Sequence, residues 1–147
     1  MRYLLFFSIL WLSITACSSD DDRRRNPNLL DVNIDLRIDT SLPQYVNLRS
    51  VMNPIYIPEY GNGGIFVMKI GENAYVAWDA ADPNHPRNNQ CIGMYLEGLN
   101  VICACEQNTY DLLTGSFTNN SPNKDNLKYT LEQYLTQVNG RFIYISN

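Results

Sequence analysis

The chain has 147 residues, 45% of them apolar, which is enough to bury one core and too few to build two. Its formal net charge of -4 gives no general attraction to nucleic acid or anionic lipid, and its one basic run, Arg23-Arg24-Arg25, directly follows and is cancelled by Asp20-Asp21-Asp22. One histidine, His85, carboxylates scattered without an evident pair, and no G-x-S-x-G, phosphate-binding glycine loop or H-E-x-x-H leave no catalytic constellation, so a non-enzymatic role is expected.

Residues 1 to 16 open with Arg2, continue as an apolar run from Tyr3 to Leu12 and end in small residues, the pattern of a secretory signal too short for a stop-transfer helix. The ending Ile14-Thr15-Ala16-Cys17 resembles a bacterial lipobox, in which the cysteine is acylated and becomes the mature N-terminus; an ordinary signal peptide with Cys17 incidental is the alternative. Acyl chains on Cys17 supply a membrane attachment that the sequence otherwise lacks. Ser18 resembles the residue of lipoproteins sorted to the outer membrane, and Asp20-Asp21-Asp22 is similar to an export tag of surface lipoproteins or serves as a plain spacer. Residues 17 to 28 carry no apolar period and are expected to be a disordered tether, leaving 29 to 147 as the folded domain.

That domain begins with strict alternation, Val32, Ile34, Leu36 and Ile38 on one face against Asn33, Asp35 and Arg37 on the other, which predicts a half-buried strand. Pro43, Pro54 and Pro58 break residues 42 to 60 into short extended pieces. The runs "IFVMKI" and "AYVAW", joined by Gly71-Glu72-Asn73, predict a hairpin, and "DAADPNHPRNNQ" (79 to 90) a loop. A further pair of strands, around Met94 to Leu96 and Leu99 to Cys103, turns at Glu97-Gly98. Leu127, Leu131, Tyr134, Leu135 and Val138 fit a helical period as well as a strand one, but Asn139-Gly140 favours a type I′ hairpin with Val138 opposite Arg141 and Thr136 opposite Ile143. An all-β domain of eight to ten short strands is the outcome.

The stretch "CACEQNTYDLLTG" (103 to 115) resembles the second cluster-binding motif of Rieske 2Fe-2S proteins, C-P-x-H-G followed by an aromatic-Asp pair and a nearby T-G. Cys103 falls on the ligand cysteine, Tyr110-Asp111 and Thr114-Gly115 on the downstream pairs, and Glu106 on the ligand histidine. Asp82-Pro83-Asn84-His85 resembles the first loop, C-x-H, with aspartate for cysteine and one residue inserted. The resemblance runs over about residues 60 to 146 and takes in Pro122, Leu127, Tyr129, Gly140 and the ending "FIYI". It implies a Rieske-like antiparallel β-sandwich of short stacked sheets with two loops at one end.

The resemblance supports that fold more than its cofactor. Two imidazoles and two thiolates hold a Rieske cluster, and one histidine per chain does not complete the set. A signal with Arg2 alone lacks the twin arginines that resemble the route for folded cluster proteins. No cofactor is therefore expected; the alternative is a 2Fe-2S or atypical iron centre on Asp82, His85, Cys103 and Glu106. The family's paired loop cysteines imply a Cys91–Cys105 disulfide with Cys103 a buried odd thiol, while Cys91–Cys103 pairing and a Cys3His zinc site from His85, Cys91, Cys103 and Cys105 stay open. His85 is expected to hydrogen-bond to backbone, and Glu106 to sit exposed or accept from the loop backbone. The functional expectation is an envelope lipoprotein that acts as a binding or structural module, its partner an unknown envelope protein or glycan and no nucleic acid; an electron carrier at the membrane surface is the rival.

Overall fold

The computed structural model describes residues 26–86, 91 and 93–147. The expected signal peptide, Cys17 and the greater part of the expected tether lie outside the described residues. Among the described residues nine strands form two antiparallel sheets, and no helix is long and apolar enough to cross a membrane.

The alternation at the start of the domain produces β1 (Asp35–Asp39), with Leu36 and Ile38 buried and Arg37 exposed. Pro43 then sets the first turn of a 3-10 helix, Pro43–Arg49, where sequence predicted extended pieces. Proline's fixed φ suits that turn, and the turn drives Leu48 fully into the core. Strand β2 (Ile55–Ile57) follows, then the expected hairpin of β3 (Ile65–Gly71) and β4 (Ala74–Asp79). β5 (Met94–Glu97) pairs with β6 (Asn100–Cys103), and β6 with β7 (Thr109–Asp111). Glu97 faces Asn100, so the turn residues are Gly98-Leu99, one position later than the sequence suggested.

A second 3-10 turn, Lys124–Asn126, precedes β8 (Gln133–Asn139) and β9 (Phe142–Ser146). The ambiguous segment is thus a strand from Gln133 onward. Its hairpin differs in register from the expectation: Asn139 faces Phe142, Val138 faces Ile143 and Thr136 faces Ile145. The turn residues are Gly140-Arg141, and only Gly140 has positive φ, at 60°. Glycine at the first central position with an ordinary φ at the second follows the type II′ pattern rather than I′.

The large sheet runs β1-β9-β8-β4-β3-β2 and curls into half a barrel; the small one runs β5-β6-β7. Two hydrophobic clusters meet at β3 and β4. Ile65, Val67 and Ala77 join Leu36, Ile38, Leu48, Ile143 and Ile145 inside the large sheet. Phe66, Met68, Val76 and Trp78 face the other way, onto Met94, Val101, Tyr110, Leu112 and Leu131. The unalternating run "IFVM" therefore marks a strand buried on both faces, the wall shared by the two clusters. The small sheet lies on this wall, and the β4–β5 and β6–β7 loops come together at one end.

Candidate functional site

The two loops are joined covalently and by a buried polar network. A disulfide links Cys91 to Cys105, and Cys103, at the end of β6, stays a free buried thiol. The β6–β7 loop is a tight reversal in which Cys103 N–H donates to the Asn108 carbonyl and Gln107 N–H to the Cys103 carbonyl, with Gln107 at φ 59°. That left-handed conformation is uncommon for a non-glycine residue, and the amide of Gln107 bonds the Cys103 carbonyl as well.

Asp82 lies at the centre of the network, 3% exposed. Its Oδ1 accepts from the Tyr110 hydroxyl at 2.5 Å and from Asn84 N–H at 2.9 Å; its Oδ2 accepts from Asn108 Nδ2 at 2.9 Å. Asn84 is saturated in turn. Its amide nitrogen donates to the Tyr110 oxygen and the Tyr129 carbonyl, and its amide oxygen accepts from the N–H groups of Lys128 and Tyr129. One asparagine thus stitches the first loop to the approach to β8. Burial pushes the Tyr110 phenol well above its ordinary value, and the hydrogen bond to Asp82 adds to it. Burial likewise pushes the Cys103 thiol up; the N–H groups of Glu106 and Cys105 pull the other way, while Asp82 reinforces the rise.

His85 and Glu106 form a second, more exposed group. His85 Nδ1 lies 2.8 Å from Glu106 Oε1, so the imidazole meets a carboxylate across the loops. Glu106 also accepts from Asn108 Nδ2, at 3.3 Å. Its partners are the His85 ring and the Asn108 side-chain amide, and it sits exposed, one of the two outcomes expected of it. Asn108 therefore bridges Asp82 and Glu106, 24 positions apart in sequence. The resemblance had grouped the two carboxylates at one loop end, but nothing in the sequence marked Asn108 as the link between them.

The four residues at Rieske ligand positions are brought to one end of the domain and divided there. Asp82 and Cys103 belong to the buried network, His85 and Glu106 to the surface pair. Among the described residues the histidine, cysteine and acidic donors that gather within 4.8 Å of one another are His85, Cys91 and Cys105, a different set. A 2Fe-2S cluster does not fit these residues: both Asp82 oxygens are taken, Glu106 is paired with the chain's one histidine, and two thiols are spent in the disulfide.

The letters that carry the resemblance have local work of their own. Asp111 Oδ1 accepts from the N–H groups of Leu113 and Thr114 and from the Thr114 hydroxyl, closing a turn. Gly115, at φ 72°, lies beneath the Trp78 ring, where a Cβ would come within 2.6 Å of ring carbons. Trp78 Nε1 donates to the Leu112 carbonyl at 2.8 Å in the same turn. Tyr110-Asp111 and Thr114-Gly115 are thus explained by packing and turn geometry without a metal.

A second buried aspartate shapes the neighbouring end of β4. Asp79 accepts from Asn62 N–H, Asn62 Nδ2, Gly63 N–H, Ala81 N–H and the Tyr134 hydroxyl. The chain before β1 is fastened here too. Asn62 exchanges hydrogen bonds with the Leu30 backbone, and the side-chain amides of Asn26 and Asn28 both donate to the Pro83 carbonyl. Residues 26 to 28, assigned to the tether by composition, are part of the folded body.

Beside the loops runs an apolar groove of about 430 Å³ lined by Tyr56, Phe66, Gly93, Met94, Tyr95, Leu96 and Ala104. Tyr56 and Tyr95 are each about half exposed on its rim. Tyr56 is fixed by a hydroxyl bond to the Gly63 carbonyl and a tilted contact with Phe66 at 5.4 Å. No protein-family model matches the chain, and comparison with curated proteins finds no relative.

Proposed function

We propose that this chain is an envelope lipoprotein, anchored through Cys17, whose Rieske-like loop end carries no cluster and whose β domain binds an apolar segment of another envelope polypeptide. The observation that carries this reading is the groove between β2 and β5. Each strand is the outermost of its sheet among the described residues, so each offers unpaired backbone to an extended segment. The groove walls are apolar and aromatic, and among the described residues no charged or carboxamide side chain lines them. A glycan needs such polar groups to orient its hydroxyls, whereas apolar side chains of a bound strand need only the space and the tyrosine walls. The disulfide-linked loops hold one wall in place through Gly93, Met94 and Ala104.

The test is site-specific photo-cross-linking from position 95 in intact membranes of the native host, with the anchor checked by fatty-acid labelling. The expected result is a discrete polypeptide adduct that disappears in Tyr56→Ala, with the fatty-acid label lost in Cys17→Ala. No adduct, a polysaccharide adduct, or an adduct indifferent to Tyr56→Ala overturns the binding assignment. Near-stoichiometric iron and acid-labile sulfide in anaerobically purified protein overturns the cluster-free assignment in favour of electron transfer.

A further inference from the structure

Three donor atoms of His85, Cys91 and Cys105 lie within 4.8 Å of one another, and the Cys103 sulfur lies 4.0 Å from that of Cys91. A tetrahedral zinc ion with Zn–S bonds near 2.3 Å holds its sulfurs about 3.8 Å apart. The Cys91–Cys103 spacing is therefore already close to that of two ligands of one ion. The disulfide closes the Cys91–Cys105 pair more tightly than any metal would.

The surroundings of these donors are those of a metal site. His85 Nδ1 lies 2.8 Å from the Glu106 carboxylate, a contact that holds the ring in one orientation. A carboxylate behind a histidine fixes tautomer and ring angle in zinc sites generally. Met94 and Val101, with Cys91 and Cys103 in the same buried cluster, keep the thiol side apolar.

We propose that the loop cluster is a redox-gated zinc site: closed by the Cys91–Cys105 disulfide, and on reduction able to bind one Zn²⁺ through Cys91, Cys103, Cys105 and His85. The opening step breaks one S–S bond. A dithiol supplies two electrons and two protons, leaves as its own disulfide, and yields two protein thiols. Zn²⁺ then displaces three thiol protons to solvent and accepts an electron pair from each sulfur and from the imidazole. Freed from each other, the Cys91 and Cys105 side chains rotate apart to the wider spacing, with Cys103 completing the set. Histidine with three thiolates suits a borderline-soft cation and disfavours calcium or magnesium. The ligands of this site adjoin the groove at Gly93, Met94 and Ala104 but do not line it, and the assignment does not depend on what the groove binds.

The experiment uses the full chain in detergent, oxidised or reduced with dithiol, titrated with Zn²⁺ against a chromophoric chelator and with Co²⁺ as a spectroscopic substitute. The reduced chain is expected to take one Zn²⁺, with Co²⁺ giving tetrahedral d–d bands and a thiolate charge-transfer band, and the oxidised chain none. Cys103→Ser and His85→Ala should each weaken binding at least tenfold, and Glu106→Gln about tenfold through the lost carboxylate. Near-ultraviolet circular dichroism of Trp78 follows folding. If reduction abolishes that signal, its recovery on adding one equivalent of Zn²⁺ supports the site and a failure to recover overturns it. Absence of Zn²⁺ binding in the reduced chain, equal binding by the oxidised chain, or unchanged affinity in both Cys103→Ser and His85→Ala also overturns it.

Discussion

Tyr110→Phe removes one hydroxyl from a fully buried ring and leaves the ring's shape intact, so it isolates the hydrogen bond to Asp82. After the change Oδ1 of Asp82 keeps only Asn84 N–H, Oδ2 keeps Asn108, and the Asn84 amide nitrogen loses one of its two acceptors. A hydrogen bond to a charged group contributes about 1.5–3 kcal/mol, and a carboxylate that is 3% exposed has no bulk water to replace it. The expected loss is therefore at the upper end, about 2–3 kcal/mol. Tyr134→Phe is the internal control. It removes the same kind of bond from Asp79, which keeps four N–H donors, so its loss should be smaller by about 1 kcal/mol. Both are measured by urea unfolding of the oxidised protein, with the slope of the transition unchanged. A Tyr110→Phe loss below about 0.5 kcal/mol, or a Tyr134→Phe loss larger than it, would refute the idea that the buried Asp82 side chain depends on few donors.

Glu106→Gln, in contrast, alters a side chain 43% exposed and should change stability by less than about 1 kcal/mol; a larger loss would show that its pairing with His85 is structural. Replacing Cys91 and Cys105 together by serine releases a loop of about 15 residues and should lower stability by about 3 kcal/mol, read as a fall in the urea midpoint; an unchanged midpoint contradicts it. The phenols of Tyr110 and Tyr134 are both pushed above the unfolded value near 10, first by burial and then by their aspartate partners. Their contribution is fully present below about pH 10 and falls as pH rises beyond it, by about 1.4 kcal/mol per pH unit for each ring; in Tyr110→Phe this part of the alkaline slope should halve, and an unaltered slope would assign it elsewhere. Gly115→Ala should cost about 2–4 kcal/mol, because it combines a left-handed φ with a Cβ driven into Trp78; a neutral outcome in thermal unfolding would mean that the ring moves freely.

Sequence patterning located most of the strands because the fold follows from side-chain burial. The alternation from Ile34 to Ile38, the doubly buried "IFVM" and the turn residues at 71 to 73 all express local chemistry. Two elements escaped for physical reasons. Pro43 serves a 3-10 turn as readily as an extended edge, and what decides between them is the core position of Leu48, a tertiary fact. At the last hairpin, Asn139 pairs with Phe142 because that register seats Ile143 and Ile145 in the large cluster, overriding the turn preference of Asn-Gly. In the loops, the cysteine pairing implied by family likeness is the bridge that the structure contains. The network behind it was not legible. Asn84 and Asn108 look like ordinary turn residues in sequence, and their roles come from partners 26 to 45 positions away.

The double clasp of Asn26 and Asn28 on the Pro83 carbonyl also fixes a line of force. If Cys17 is the point of anchorage, the chain from it to Asn26 spans at most about 32 Å, so the clasp and the loop above it stay near the bilayer. Any pull between membrane and domain then acts first on two amide hydrogen bonds at the loop, and reaches β1 only after these yield. With that anchorage the disulfide-closed end would be the end nearer the membrane, and the far rim of the curled sheet the part free to swing outward. An oxidoreductase that opens Cys91–Cys105 must work in that narrow layer, while a mechanical strain large enough to lift Pro83 changes the same loop that the thiols close.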